Sequence, residues 1–558
     1  MEAEYRSWTP QSLGDMLDQV AGRYADQEAI IFRDQRVTYR QLHERVNRLA
    51  TGLMRLGVGR GDKVAVWMTN HPEWIYAQFA IAKIGAVIVP INTRYKLHEL
   101  EYILHQSDTT TLILLDRFRD IDYAAMLHEI CPELSGAAAD QRVHAARLPL
   151  LRHVICHGAQ RAPGMLAFAD VLALGADPAH AEALRQRQAQ VQPDDVTMIL
   201  YTSGTTGLPK GAMLTHNNIG ANGWYQGEIQ HLTDRDSLIV YVPLFHCFGC
   251  VNAVLAAVPH GARLILLETF DAGEALRAIA RERCTVIYGV PTMFIALLEH
   301  PEFDLYDLSS LRTGIMSGAP CPVKVMEEVM YRMGASEITI TFGQTECSPV
   351  ATQTRPDDPI ELRVQSVGRA IPGVECKVVD PETGQTLEVG RQGEFCTRGH
   401  HVMKGYYKKP AETAAAIDPE GWLHTGDLVV VDENGYFRTT GRMRDMYICG
   451  GFNVYPREVE ELLFRHPKVK QVAVLGVPDR LLGEVGMAWV ELKEGEACAE
   501  DEIIGFCRDS LANFKVPRYV RFTDAWPMTA TGKIQKYRLD EMAREALGLN
   551  DVGFVAHA

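Results

Sequence analysis

Cysteine is sparse and scattered, with twelve among 558 residues. No disulfide framework is expected from that, and a reducing cytosol is. One Cys-x-x-Cys is present, Cys247 and Cys250. A structural zinc site usually needs a second ligand pair, and none stands nearby, so the pair reads as buried thiols on an apolar wall. Positive charge is also short: 56 Lys+Arg against 71 Asp+Glu leave a net −15. General nucleic-acid binding needs basic surface, so any polyanionic ligand must be held by a local site. The first residues, MEAEYRSWTP, lack a basic region followed by an apolar run, and no secretory leader is expected. The final Ala-His-Ala is not a peroxisomal address. The longest uncharged stretch, 237–262, is interrupted by Pro243, His246, Gly249, Asn252, Pro259, His260 and Gly261. It predicts strand, turn and buried helix rather than an integral membrane segment. Internal repeats are absent.

What remains is an ordinary globular composition, 47% apolar and 23% charged. The length predicts at least two domains. Leu42, Val46, Leu49, Leu53 and Leu56 mark one face of a helix over 39–57. Short apolar runs at 63–67, 86–90, 111–115, 196–201, 238–242, 263–267 and 286–288 alternate with helical patterns. Continuous apolar strands separated by helices predict parallel sheets covered on both faces. Beyond about residue 365, short strands and turn residues take over, with a hairpin signal at Glu433-Asn434-Gly435. From about 442 a smaller α+β unit begins, with Pro456 in the first turn of a helix to Arg465. The expected architecture is α/β. A large N-terminal domain (1–441) of helix-flanked parallel sheets carries a small β-barrel-like region, and a smaller α+β C-terminal domain follows (442–558). The Ala-, Gln- and Arg-rich residues 131–190 read as a surface excursion.

The strongest chemical signal is Tyr201-Thr202-Ser203-Gly204-Thr205-Thr206-Gly207-Leu208-Pro209-Lys210-Gly211. A buried strand runs into a loop of hydroxyls and glycines that ends in a lysine. Glycines let backbone N–H groups converge on an anion, hydroxyls add donors and Lys210 adds charge. It is not a Walker A sequence, because Pro209-Lys210 stands where Gly-Lys-Ser/Thr would. Thr341-Phe342-Gly343-Gln344-Thr345-Glu346 ends a β-type run, with an aromatic able to stack on a base and a hard oxygen ligand suited to Mg²⁺. Asp427, in Thr425-Gly426-Asp427, can accept both hydroxyls of a ribose.

The loop at 201–211 resembles the AMP-binding signature of the adenylate-forming superfamily, which includes acyl-CoA synthetases, adenylation domains and luciferases. Further motifs match in order along nearly the whole chain. The resemblance implies a fold with a mobile C-terminal lid, and ATP, Mg²⁺ and CoA as ligands. It assigns Thr345 to the α-phosphate, Glu346 to the metal, and Ser317-Gly318-Ala319-Pro320 to adenine. Asp427 and Arg442 go to the ribose, Arg444 to the hinge, and Gly450-Gly451 to the pantetheine tunnel. Lysines that some plant relatives carry in that tunnel loop are replaced here by Ile448 and Gly450. Lys533, in Thr529-Ala-Thr-Gly-Lys-Ile, takes the place of the catalytic lysine. There a long ammonium reaches both the carboxylate and the α-phosphate. His246 stands by the carboxylate, and Cys247, Phe248, Val251, Gly289, Val290 and Pro291 line the acyl pocket.

No Lys, Arg, Asp or Glu occurs between Ser237 and Ala262. Selecting an amino or second carboxylate group would need a buried charge, so an apolar acid is favoured over an amino acid. The run 291–312 and Gly450-Gly-Phe-Asn-Val-Tyr-Pro-Arg-Glu-Val-Glu460 closely resemble the medium-chain fatty acyl-CoA synthetase branch. The expected reaction joins a medium- or long-chain fatty acid to CoA through acyl-AMP, in the cytoplasm; a homodimer is compatible with this. The alternatives are a ligase for alicyclic or aryl acids, an acyl-AMP ligase loading a carrier protein, and a non-catalytic sensor. The sensor should have lost Lys533, Glu346 or Asp427, and all three are present.

Overall fold

The computed structural model describes residues 5–136, 142–158, 162–202, 209–319, 321–443, 445–450, 452–479, 481–529 and 532–548. Two sheets form the heart of the large domain. One has seven strands in the order Lys210–Thr215, Val196–Thr202, Val87–Pro90, Lys63–Trp67, Thr109–Leu115, His153–His157, Leu166–Ala167. It is parallel except for the first pair, which is antiparallel. The other has nine strands and centres on the parallel set Glu337–Phe342, Thr313–Met316, Val286–Gly289, Ser237–Val240, Arg263–Leu266 and Glu28–Phe32.

Helices cover the faces, burying an apolar side or, in one case, nearly every residue. Helix Pro72–Lys83 is buried at almost every position, and even Lys83 is inside, paired with Asp18. Helix Tyr39–Arg55 follows the predicted apolar stripe, and its start is set by Thr38 and Gln41, which cap each other's backbone N–H groups. The apolar stretch 237–262 divides as expected into strand Ser237–Val240, a tight turn and short helices. Its first helical segment, Phe248–Ala253, is a π-turn. No helix among the described residues is long and apolar enough to cross a membrane.

Two expectations change. The segment 131–190 is not all surface excursion: His153–His157 lies in the seven-stranded sheet beside Thr109–Leu115, with Val154, Ile155 and Cys156 buried. Its five residues are too short to stand out in a composition dominated by Ala, Gln and Arg. The small β region is an open sheet, not a barrel. It comprises Val374–Val379, Gln392–Gly399, Leu423–Val431 and Phe437–Arg442, all antiparallel, with the expected hairpin joining the last two.

The small domain has a core of its own. Strands Val469–Asp479 and Gly483–Leu492 form a long antiparallel pair, extended by Tyr447–Cys449, Phe452–Val454 and the parallel Tyr519–Phe522. Helices Pro456–Leu463, Glu500–Arg508 and Lys536–Ala546 pack on it. Its buried cluster, from Tyr447 to Ala543, is separate from the large domain's among the described residues.

Candidate active site

The glycine- and hydroxyl-rich motif is flanked by a strand pair. Val196–Thr202 and Lys210–Thr215 pair antiparallel, so Thr202 stands opposite Lys210. Ser203, Gly204, Thr205, Thr206 and Gly207 lie outside the described residues, as do Pro320, Arg444 and Gly451. Lys210 rests its ammonium 4.5 Å over the Tyr406 ring.

Strand Glu337–Phe342 delivers the second motif. Phe342 edges onto Phe395 at 5.3 Å, and Gly343 and Gln344 lead into the short turn Thr345–Cys347. Glu346 is buried there and accepts the Tyr406 hydroxyl at 2.8 Å, with Thr202 Oγ1 at 3.5 Å from the same oxygen. Among the described residues no ammonium or guanidinium pairs with this carboxylate. Tyr406 carries no motif in the sequence. It arrives because 404–407 runs beside Lys210–Thr215, with Met213 N–H donating to Gly405 O at 2.9 Å and Tyr407 N–H to Gly211 O at 2.8 Å.

Ser317 follows the neighbouring strand Thr313–Met316 and donates its hydroxyl to Thr341 O at 2.8 Å, which ties the start of the Ser317-Gly318-Ala319 segment to the strand that leads to Glu346. Ala319 accepts the Cys321 thiol. Gly318 faces the small domain: a β-carbon there would lie 3.2 Å from Lys533 Cε, 3.8 Å from Lys533 Nζ and 3.2 Å from Val290 Cγ1. Lys533 is thus seated against the large domain. Its loop is closed by Thr529 N–H donating to Lys533 O at 2.7 Å and Lys533 N–H to Thr529 Oγ1 at 3.0 Å. Thr292, not foreseen from sequence, latches it by donating to Gly532 O at 3.1 Å.

Around Lys533 stand His246, Cys247, Asp427 and Arg442, whose charges it feels or perturbs. Burial holds the Lys533 ammonium below the usual lysine range, and the Arg442 guanidinium adds to the effect. Burial also pushes the His246 imidazole down to about 3, helped by Lys533. His246 Nδ1 accepts the Phe248 N–H at 3.1 Å, so the ring is neutral with its proton on Nε2. Burial raises the Cys247 thiol to about 11, leaving it protonated; it lies 3.6 Å from Thr345 Oγ1. Asp427 is buried and its carboxyl raised by that burial, against the pull of Arg442, whose Nε bonds Oδ1 at 2.7 Å.

The apolar side is continuous with this centre. Cys247, Phe248 and Val251 are buried along the π-turn, and Phe248 stacks on Tyr288 at 6.1 Å. Tyr288 belongs to Val286–Gly289, which leads through Gly289 and buried Val290 into helix Pro291–Leu298. Gly450 is elsewhere. It is exposed in the small domain's turn between Tyr447–Cys449 and Phe452–Val454, and its N–H donates to Leu482 O at 2.8 Å.

Comparison with known proteins agrees with this geometry. The AMP-binding enzyme family matches residues 17–407, and the AMP-binding enzyme C-terminal domain matches 458–533. YngI of Bacillus subtilis (strain 168), which carries an acyl-CoA synthetase name, is 49% identical over 541 residues, 97% of this chain and 98% of its own. The mitochondrial medium-chain acyl-CoA ligase ACSF2 of Bos taurus is 38% identical over 546 residues, 97% of this chain and 88% of its own. Among solved structures, the anthranilate CoA ligase AuaEII in complex with anthranoyl-AMP superposes with a TM-score of 0.84 at 28% identity, covering 97% of this chain and 99% of that one. ATP-bound MatB from Rhodopseudomonas palustris superposes at 0.79 and 30%, covering 96% and 99%. With both family domains matched in order along its length, the chain belongs to the AMP-binding enzyme family and is an acyl-CoA synthetase, an AMP-forming carboxylate–CoA ligase.

Proposed function

We propose that this ligase activates fatty acids of medium or long chain. The observation that carries the reading is the wall beside Lys533. The stretch 237–262 holds no Lys, Arg, Asp or Glu, and Cys247, Phe248 and Val251 are buried in it next to a neutral His246. An amino or second carboxylate group would be left there without a partner, which costs several kcal/mol, whereas an alkyl chain gains about 0.8 kcal/mol per buried CH₂. The medium-chain name of the ACSF2 relatives supports the same choice. An aryl acid is the second reading, favoured by the likeness to an anthranilate CoA ligase.

In the first half-reaction a carboxylate oxygen attacks the α-phosphorus of ATP and pyrophosphate leaves. Lys533 reaches the carboxylate and the α-phosphate and stabilises the charge that develops between them. Neutral His246 leaves the carboxylate's charge to Lys533, and Thr345 donates to the α-phosphate. Asp427, with Oδ1 held by Arg442, offers its remaining oxygen to the ribose. Glu346 fits Mg²⁺: a buried hard-oxygen ligand, hydrogen-bonded by hydroxyls and lacking an ion-pair partner among the described residues. When bound there, Mg²⁺ supplies charge neutralisation of the phosphates.

In the second half-reaction the small domain rotates about Arg444, Lys533 withdraws, and Gly450 and Gly451 guide the CoA thiol to the acyl carbon as AMP leaves. The separate core of the small domain supports such a rigid-body movement. All twelve cysteines are free, which supports a reducing compartment such as the cytoplasm.

The test is AMP release with Mg·ATP across acetate to palmitate, benzoate and cyclohexanecarboxylate, with and without CoA. CoA-dependent AMP with a maximum at a mid-length aliphatic acid is expected. A maximum on a ring acid replaces the substrate, and pyrophosphate exchange without CoA-dependent turnover moves the reading to carrier-protein loading.

A further inference from the structure

Strand Leu423–Val431 does not run evenly beside Gln392–Gly399. Glu394 pairs with Leu428 and Cys396 with His424, so two steps on one strand face four on the other. Thr425-Gly426-Asp427 thus face the single residue Phe395, a bulge that takes Asp427 out of register with Gln392–Gly399 while it stays paired with Arg442 on the other side, near Lys533. Gly426 takes φ +71°, a conformation its missing β-carbon allows. A bulge forfeits ladder hydrogen bonds, and buried backbone groups must then find other partners.

One buried side chain supplies them. Glu394 Oε1 accepts the Gly426 N–H at 2.9 Å, and Glu394 Oε2 lies 2.8 Å from His424 Nδ1. Thr425 completes the turn, donating its hydroxyl to Phe395 O at 2.7 Å and accepting the Asp427 N–H at 3.2 Å. The carboxylate therefore grips the bulge at its foot and at its crest. Glu394, Cys396 and His424 also stand close enough together to consider a metal. The Glu394–His424 hydrogen bond occupies two of those three donors, so the cluster reads as a clamp.

We infer that Glu394, through His424 and the Gly426 amide, is a positioning residue that aims Asp427 at the nucleotide ribose. This rests on the reading of Asp427 as the ribose acceptor. A merely structural Glu394 would lower all kinetic parameters or none; a clamp changes how the enzyme judges ribose hydroxyls.

The experiment compares kcat/KM for ATP and for 2′,3′-dideoxy-ATP at fixed fatty acid and CoA in the full-length enzyme. Wild type should prefer ATP by about tenfold or more, and Asp427→Ala should abolish the preference. Glu394→Met, which keeps the volume without an acceptor, should cut the preference about tenfold through KM for ATP, with KM for the acid unchanged. Glu394→Gln keeps an acceptor oxygen and should stay within about twofold of wild type. If Glu394→Met does not fold, Glu394→Asp, which draws the oxygen back from Gly426, should move the preference the same way. A full preference in Glu394→Met, or in Glu394→Asp where that variant stands in, beside its loss in Asp427→Ala overturns the clamp alone. A full preference in Asp427→Ala overturns the ribose reading and the clamp with it.

Discussion

In the large domain, Glu346 and His246 sit in turns and Asp427 in a strand bulge, each fastened by a neighbour: Tyr406 and Thr202 on Glu346, the Phe248 N–H on His246, Arg442 on Asp427. Among the described residues beyond strand Phe437–Arg442, Lys533 reaches the same centre from the small domain, on a self-closed loop latched by Thr292. One region is a fixed frame of acceptors and apolar wall; the other brings a single positive charge from a body with its own core. An enzyme that uses one site for two reactions can thus exchange the charge without rebuilding the frame.

The comparison breaks most sharply at Lys533. Lys533→Ala should lower ATP–pyrophosphate exchange by about 10²–10³-fold while thioester formation from supplied acyl-AMP changes little. Equal loss in both assays would make Lys533 part of the frame. Because burial lowers its pKa, the active ammonium is lost as pH rises through a value below the usual ~10.4. Lys533→Arg, which stays protonated, should move the alkaline limb of exchange upward, whatever rate it retains.

On the frame side, Val251→Asp places a charge in the apolar wall. It should lower kcat/KM for octanoate about tenfold or more, with KM for ATP within about twofold. An unchanged octanoate rate would move the acyl tail elsewhere. The smallest effect belongs to the contact between the bodies. Lys470 lies 3.3 Å from Glu299 across the domain junction, yet it also has Glu491 at 2.9 Å, and both partners are partly exposed. Glu299→Ala should change exchange by no more than about fivefold, as surface ion pairs contribute ~0–1 kcal/mol.

The frame was far more readable from sequence than its fastenings. Apolar runs such as Lys63–Trp67 and the stripe of helix Tyr39–Arg55 announce themselves through local periodicity. Asp427 and Glu346 sit in compact motifs. Tyr406, Thr292 and Glu394 do not, because each acts across more than twenty-five residues of chain, through a register or a domain contact that local pattern cannot encode. His153–His157 was hidden for the opposite reason: its surroundings are locally polar, and only its pairing with Thr109–Leu115 makes it core.

The claim that Lys533 is delivered and withdrawn is tested most directly by holding it in place. A β-carbon at Gly532 would lie 3.2 Å from Thr292 Oγ1, close to the spacing of a β-carbon and the partner sulfur in a disulfide. In Thr292→Cys/Gly532→Cys, the reduced form serves as the control for any strain at Gly532, whose φ is +80°. The oxidised enzyme should keep ATP–pyrophosphate exchange and lose acyl-CoA formation, and a reductant should restore it. Acyl-CoA formation at the reduced rate in the fully oxidised enzyme would contradict the account.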